Sequence, residues 1–215
     1  MKNYIIPTTV VDDFFDDPHM VTEFAKKQTY SKDTHNQWPG ERTESIHKLN
    51  SEFFSNTINK FLRIFYPDNA NIEWSGYGFF QRISNVYDQG WIHVDGTLIT
   101  GIVYLNEDRN PAAGTTIYRP AVLGEQMLHV DKKTDAIKNP KLSKEYKIYR
   151  EENASQFEES IVLKNKFNRL VAFDSHLYHA GNDFSGNGQS NRLTFVFFLD
   201  KIHVDSFPLQ RIKRL

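Results

Sequence analysis

His93 and Asp95 stand two residues apart in the segment Trp91-Ile-His-Val-Asp-Gly. On extended backbone, side chains at i and i+2 leave the same face, so this spacing aims an imidazole and a carboxylate at one point. A second imidazole from elsewhere in the chain would place two nitrogen donors and one oxygen donor on one side of a divalent metal. His176 and His179, in Phe173-Asp-Ser-His-Leu-Tyr-His-Ala, are the candidates for that third position. They differ by three residues, so a strand would point them to opposite faces. A His-x-Asp pair alone is common, and a lone histidine is more often a surface or hydrogen-bonded residue than a ligand. His19, His35, His47, His129 and His203 have no partner at metal-ligand spacing and read as surface or capping residues.

Two histidines and one carboxylate on one face leave coordination positions open, the arrangement diagnostic of non-haem Fe(II) oxygenases. Arg192 adds to it. It opens the run Arg-Leu-Thr-Phe-Val-Phe-Phe-Leu, which is apolar enough to be a buried strand. A guanidinium partly buried there requires an anionic partner. A protein carboxylate is the commoner partner; a dicarboxylate ligand, gripped bidentately by the planar fork, is the functional one. Thr194, two residues on and on the same strand face, offers a hydroxyl donor, and so does Tyr104 in Gly-Ile-Val-Tyr-Leu-Asn.

The elements that must position these groups follow from periodicity. Asp16 or Asp17 caps a helix with Pro18 in its first turn and Met20, Val21, Phe24 and Ala25 along it. A second helix is marked by Ile46, Leu49, Phe53, Ile58, Phe61, Leu62 and Phe65, ended by Pro67-Asp68. Between them, Gln28 to Arg42 is polar and reads as a loop. From about Ile72 the pattern changes to short β-branched and aromatic runs. These are Tyr77 to Ile83, Gly90 to Asp95, Leu98 to Leu105, Thr115 to Tyr118, Ser160 to Leu163, Arg169 to Phe173 and Arg192 to Leu199. Turn clusters at 106–111 and 185–190 separate them, which predicts a sandwich or jelly roll. A stretch rich in Lys, Glu and Asn, about 124–159, reads as a surface insertion of weak helical or irregular structure. Such an excursion is either a lid or binding loop or a solvated loop without a role.

At 215 residues the chain reads as one domain: a helical part over about 1–70, then a β core over about 72–200 interrupted by that insertion. With 39% hydrophobic residues and 17 Phe it can fill a sizeable core. The net charge of -1 predicts no general attraction to nucleic acid or acidic membranes. Cysteine is absent, which excludes disulfides, thiolate metal sites and a cysteine nucleophile. No apolar run approaches the roughly 20 residues that span a bilayer, and the first residues lack a signal-peptide core. A cytoplasmic protein is the expectation.

Together these residues resemble the Fe(II)/2-oxoglutarate-dependent dioxygenases, within them the prolyl-4-hydroxylase-like branch, over about Tyr77 to Asp200. Tyr87-Asp-Gln-Gly-Trp-Ile-His-Val-Asp95 is similar to the first ligand strand preceded by its active-site tyrosine. Val103-Tyr-Leu-Asn106 is similar to the strand that follows, and Ala113-Gly-Thr-Thr116 to a Gly-Gly-x-Thr turn with Ala in the first place. Phe173-Asp-Ser-His-Leu-Tyr-His179 and Arg192-Leu-Thr194 resemble the second histidine and the Arg-x-Ser/Thr clamp.

The resemblance implies a double-stranded β-helix core of jelly-roll or cupin type. It implies His93, Asp95 and His179 as iron ligands, so that His179 is favoured over His176. It implies Arg192, Tyr104 and Thr194 around the distal carboxylate of 2-oxoglutarate, and Tyr87 facing the cosubstrate or the substrate. Fe(II), 2-oxoglutarate and O2 are then required, with ascorbate as an accessory reductant and succinate and CO2 as products. Asp95 argues against halogenation, for which relatives lose this carboxylate. The substrate implied is a peptidyl residue, prolyl or another, or a small molecule. Trp74, Trp91, Tyr118 and Arg119 are candidates for the entrance, although packing is the more frequent role of such residues. Two other readings use the same scaffold: a non-catalytic binding module with structural histidines, and a cupin-like metalloenzyme that does not use 2-oxoglutarate.

Overall fold

Asp17 accepts the backbone N–H of Met20 at 2.9 Å and Pro18 takes the first helical position, so α1 (Pro18–Lys26) starts where its sequence predicts. The second helical stretch starts twice. α2 (Ile46–Leu49) ends at Asn50, whose extended backbone and side chain, accepting from Phe53 N–H at 2.9 Å, open α3 (Ser51–Leu62). Asparagine competes with helical hydrogen bonding in an interior and satisfies it at a cap, which divides the expected single helix. The computed structural model describes residues 7–35, 37–107, 110–122, 124, 126, 128–139, 145–184 and 191–206. The expected turn at 185–190 lies outside them, as does part of the one at 106–111.

The β core consists of two antiparallel sheets. The larger has the order β1 (Thr9–Val11), β8 (Leu170–Asp174), β5 (Ile99–Tyr104), β10 (Arg192–Val204), β4 (Ile72–Ile83), β3 (Glu41–Arg42), β2 (Ser31–Lys32). The smaller has the order β7 (Phe157–Leu163), β6 (Thr115–Pro120), β9 (Tyr178–Gly181). This is a jelly-roll core, mainly β, as the resemblance implies.

Alternation along the strands sorts side chains between two layers. Phe195, Phe197 and Leu199 of β10, with Val103 of β5 and Leu170 and Ala172 of β8, face the helices. There they meet Val21, Ala25, Phe54, Ile58, Phe61 and Leu62. The opposite face of the same strands meets the smaller sheet, where Tyr104, Val171 and Phe173 pack with Ile117 and Leu163. Both faces of the large sheet are covered, which is why β8 and β10 read as continuous apolar runs.

Four expectations need correction. Gln28 to Arg42 is not a plain loop, because its ends pair as the short hairpin β2–β3, and Arg42 sits opposite Gln81 of β4. Gly90 to Asp95 is not a strand but an extended segment touching β9 at one isolated bridge, His93 with His179. The residues around His179, which lie outside every expected strand, form the short strand β9. The insertion folds into α4 (Val130–Lys138) and α5 (Lys147–Ala154), and β7 begins at Phe157, inside its expected limit.

Candidate metal centre

The segment carrying His93 reaches β9 through paired backbone hydrogen bonds. His93 N–H donates to the His179 carbonyl at 3.0 Å and His179 N–H returns at 2.8 Å. Gly90 N–H donates to the Gly181 carbonyl at 2.8 Å and Asp95 N–H to the Ser175 carbonyl at 2.9 Å. A Cβ on Gly90 would lie 2.8 Å from that Gly181 oxygen, so the close approach requires glycine. The two imidazoles end with ring centroids 4.5 Å apart.

Each imidazole is oriented by its own backbone. Nδ1 of His93 lies 2.8 Å from the Trp91 carbonyl and Nδ1 of His179 lies 2.8 Å from the Leu177 carbonyl. A carbonyl only accepts, so both Nδ1 atoms donate and both Nε2 atoms are left to face Asp95. Oδ1 of Asp95 is 3.6 Å from Nε2 of His93, and Oδ2 is 3.3 Å from Nε2 of His179. One donor atom from each residue falls within 4.8 Å of the others. Donors bonded to one ion at about 2.0–2.2 Å stand roughly 3 Å from each other, so the spacing fits a shared metal.

The electrostatics suit the same task. Burial, foremost, with the charges of Lys133 and His179, holds His93 well below the ordinary imidazole range. Burial alone would raise the Asp95 carboxyl, but the adjacent His179, then His93 and the Thr100 hydrogen bond, outweigh it and hold it well below the carboxylate range. A neutral imidazole and an ionised carboxylate are the forms that bind metal.

Behind Asp95 stands a buried chain of hydroxyls. Thr100 Oγ1 donates to Asp95 Oδ2 at 2.6 Å and lies 2.8 Å from Ser175 Oγ, which lies 2.8 Å from Thr97 Oγ1. His176 is elsewhere: exposed, with Nδ1 3.1 Å from Asp174 Oδ1. The geometry therefore sets His179, buried to 5% exposure, beside His93 and Asp95.

The cavity in front of these residues runs between the two sheets and is roofed by the insertion. Arg192 reaches it from β10. Its Nε donates to the Ala113 carbonyl at 3.1 Å, and its Cζ sits 5.3 Å from the Tyr104 ring centroid and 5.5 Å from that of Phe184. Its Nη2 is buried without a hydrogen-bond partner, and among the described residues no carboxylate lies within ion-pair distance. Such an orphaned donor on a buried cation fits an anionic ligand. Tyr104 is fully buried and its hydroxyl donates to Thr115 Oγ1 at 2.9 Å. Thr194 is buried between Tyr104 and Gln81 in the sheet register. Tyr87, in a single 3-10 turn (Asn85–Tyr87), lines the cavity.

Of the four residues suggested for the entrance, Trp91 alone lines this cavity. Trp74 packs edge-on against Phe54 and donates to Asn59 Oδ1 at 2.9 Å, on the helical side of the sheet. Tyr118 borders a second, neighbouring cavity, and Arg119 is exposed and paired with Glu158 at 2.6 Å. Sequence reasoning missed Thr100, Ser175, Trp38, Arg42 and Lys133, all of which line or brace the site. Thr100 and Ser175 carry a faint signal, since both lie within five residues of a predicted ligand; Arg42 and Lys133 carry none.

The model of a family of unknown function, DUF6445, matches residues 3–199. The chain belongs to that family. No curated protein sequence matches this DUF6445 chain. Solved structures do. HygX from Streptomyces hygroscopicus with nickel and 2-oxoglutarate bound is 10% identical with a TM-score of 0.52, over 90% of this chain and 82% of that one. The same protein with nickel, 2-oxoglutarate and hygromycin B bound gives a TM-score of 0.53 at 10% identity, with the same coverage. A prolyl hydroxylase from Trichoplax adhaerens, in complex with a hypoxia inducible factor oxygen degradation domain peptide, is 12% identical with a TM-score of 0.52. It matches over 90% of this chain and 83% of that one. The fold of this DUF6445 chain is the 2-oxoglutarate oxygenase fold of prolyl-hydroxylase type. Among its described residues, no helix is long and apolar enough to cross a membrane.

Proposed function

We propose that this DUF6445 chain is an Fe(II)- and 2-oxoglutarate-dependent dioxygenase that hydroxylates a C–H bond of a peptidyl residue or a small molecule. The reading rests on one observation: two Nε2 atoms and a carboxylate from distant parts of the chain face one another within 4.8 Å, with Nδ1 protons directed away. His93, Asp95 and His179 hold the iron on one side and leave the cavity side open. Arg192 holds the distal carboxylate of 2-oxoglutarate with its unpaired Nη2, and Tyr104 and Thr194 complete that end. Iron with 2-oxoglutarate and O2 supplies the oxidation of an unactivated C–H bond, releasing succinate and CO2.

The protein's own contribution is orientation. The Trp91 and Leu177 carbonyls fix the imidazole tautomers, and Thr100 keeps Asp95 turned toward both rings. Ile102, Ile137, Val196 and Phe198 give the cavity dry walls, which strengthen every charge interaction inside it. Helical part, β core and insertion all contribute to one hydrophobic interior or to this cavity, which supports a single functional domain.

Anaerobic addition of Fe(II) and 2-oxoglutarate is expected to give the weak visible absorption of their chelate. His93→Ala is expected to abolish it, while Arg192→Gln retains metal and loses 2-oxoglutarate. A wild-type protein that binds neither metal nor 2-oxoglutarate ends this reading.

A further inference from the structure

The cavity carries more positive charge than iron and 2-oxoglutarate would use. Arg192, Val196 and Phe198 share one face of β10 and line the cavity, and six residues of strand put Arg192 and Phe198 about 20 Å apart. Arg42 belongs to the Phe198 end. Its Cζ lies 4.2 Å from the Trp38 ring centroid, 5.4 Å from that of Phe79 and 5.6 Å from that of Phe198. Trp38 therefore holds the guanidinium as a flat shelf beside the cavity. Lys133 enters the same cavity from α4.

Among the described residues neither cation has a salt-bridge partner, although Asp95 acts on both at longer range and Asp33 on Arg42. Arg42 makes one long contact, Nη2 to Gln81 Oε1 at 3.5 Å, and its Nε is buried without a partner. Among the described residues the Lys133 ammonium has no hydrogen bond and no salt bridge; Asp95 is the one charge that opposes its burial. Burial lowers Lys133 from the ordinary lysine range and lowers Arg42 to about 10. Arg150, also at the cavity, differs in being paired with Asp88 at 2.7 Å.

Charge counting then decides what is missing. Neutral imidazoles, one carboxylate, a ferrous ion and a dianionic cosubstrate leave a single net negative charge. Arg192, Arg42 and Lys133 set three positive charges around it, and Asp33 beside Arg42 offsets only one of them. Desolvated cations without counter-charges are costly; Arg42 lies at the end that the cosubstrate anchor does not reach, and Lys133 lines the cavity within electrostatic range of His93 and Asp95.

We infer that the primary substrate carries an acid group, a carboxylate or a phosphate, which Arg42 and Lys133 hold at the end of the cavity away from Arg192. This rests on the reading that Arg192 anchors 2-oxoglutarate. Arg42 offers a planar fork for two acid oxygens and Lys133 a point charge for a third contact. The acid group then sets how far the rest of the substrate extends toward Asp95 and the two imidazoles. Because Lys133 comes from the insertion, the 124–159 excursion is a substrate-recognition element rather than a solvated loop.

The test is equilibrium binding of acetate, inorganic phosphate and neutral acetamide to the full chain. It is read by tryptophan fluorescence, first without added metal and then with Ni(II) and 2-oxoglutarate. One of the two anions is expected to saturate at millimolar concentration in both forms, and acetamide is not. The tighter anion identifies the acid group, and Trp38→Phe should remove the signal. Arg42→Gln and Lys133→Gln are each expected to weaken binding roughly tenfold or more. Saturating 2-oxoglutarate, which fills the Arg192 end, should leave the wild-type anion affinity unchanged. Lys133 lies on the outer insertion, so its variant decides the matter if Arg42→Gln fails to fold. Absence of anion binding, binding that survives Lys133→Gln, or binding lost when 2-oxoglutarate is saturating would each overturn the inference. The chelate absorption reports separately on the dioxygenase reading. It should be unchanged in Lys133→Gln, and its absence in wild type would remove that reading even if anions bind.

Discussion

His93 and His179 share one local device, an Nδ1–H turned back onto the carbonyl two residues earlier, and it needs only extended backbone at both sites. Asp95 lacks such a local partner and depends on Thr100 from β5, supported in turn by Ser175 and Thr97. Replacing Thr100 by Val keeps the volume and removes the hydroxyl, leaving Asp95 free to rotate. The expected result is a metal affinity lower by roughly 10- to 100-fold with little loss of fold, measured by chelator competition. Unchanged affinity would mean that Asp95 is held by its backbone alone. The His-x-Asp spacing was legible because its geometry is set within a few residues, whereas His179 was favoured over His176 by the family resemblance and not by spacing. Arg42 and Lys133 were not legible, because their value comes from what stands opposite them across the cavity.

At the scale of elements, alternation was legible wherever a strand was long, and it failed where pairing is short or irregular. Thr9–Val11 is too brief to show a period, and it is held to β8 by Asp12 at its end. Asp12 meets Arg169 Nε at 2.6 Å and Lys166 Nζ at 3.0 Å. The Arg169 hydrogen bond, ahead of the Lys166 contacts, lowers its carboxyl from 3.8 to about 2. A depressed carboxylate stabilises the fold fully above its unfolded value, and that stability is lost as pH falls from 3.8 toward 2. With the side chain 38% exposed, solvent screening limits the effect to about 1 kcal/mol or less. Asp12→Asn should therefore shift a urea midpoint slightly at pH 7, and the difference should vanish near pH 2. Gly101 of β5 makes a larger demand. A Cβ there would lie 2.1 Å from Phe197 Cζ, a ring with no exposed surface to move into. Gly101→Ala should cost roughly 1–3 kcal/mol by urea denaturation. A neutral outcome would show that the helices over this face yield.

For the molecule as a whole, a jelly roll was legible from short strands and turn spacing, but the division of labour between its sheets was not. His93 and Asp95 lie on the connection between β4 and β5 of the large sheet, whereas His179 lies on β9 of the small one. The centre exists only when that connection docks on β9, so a metal bound there binds the native state and not the unfolded chain. Ligand at a hundred times its Kd then adds about 2.7 kcal/mol, which for a chain of this size is roughly 5–10 °C in Tm. Thermal unfolding with Ni(II) should show that rise in wild type and a second rise when 2-oxoglutarate is added. Arg192→Gln should keep the first rise and lose the second, because its guanidinium touches no ligand of the metal. His179→Ala should lose both. An equal Ni(II) shift in His179→Ala would place the ion elsewhere on the surface, and the two sheets would then meet without a metal between them.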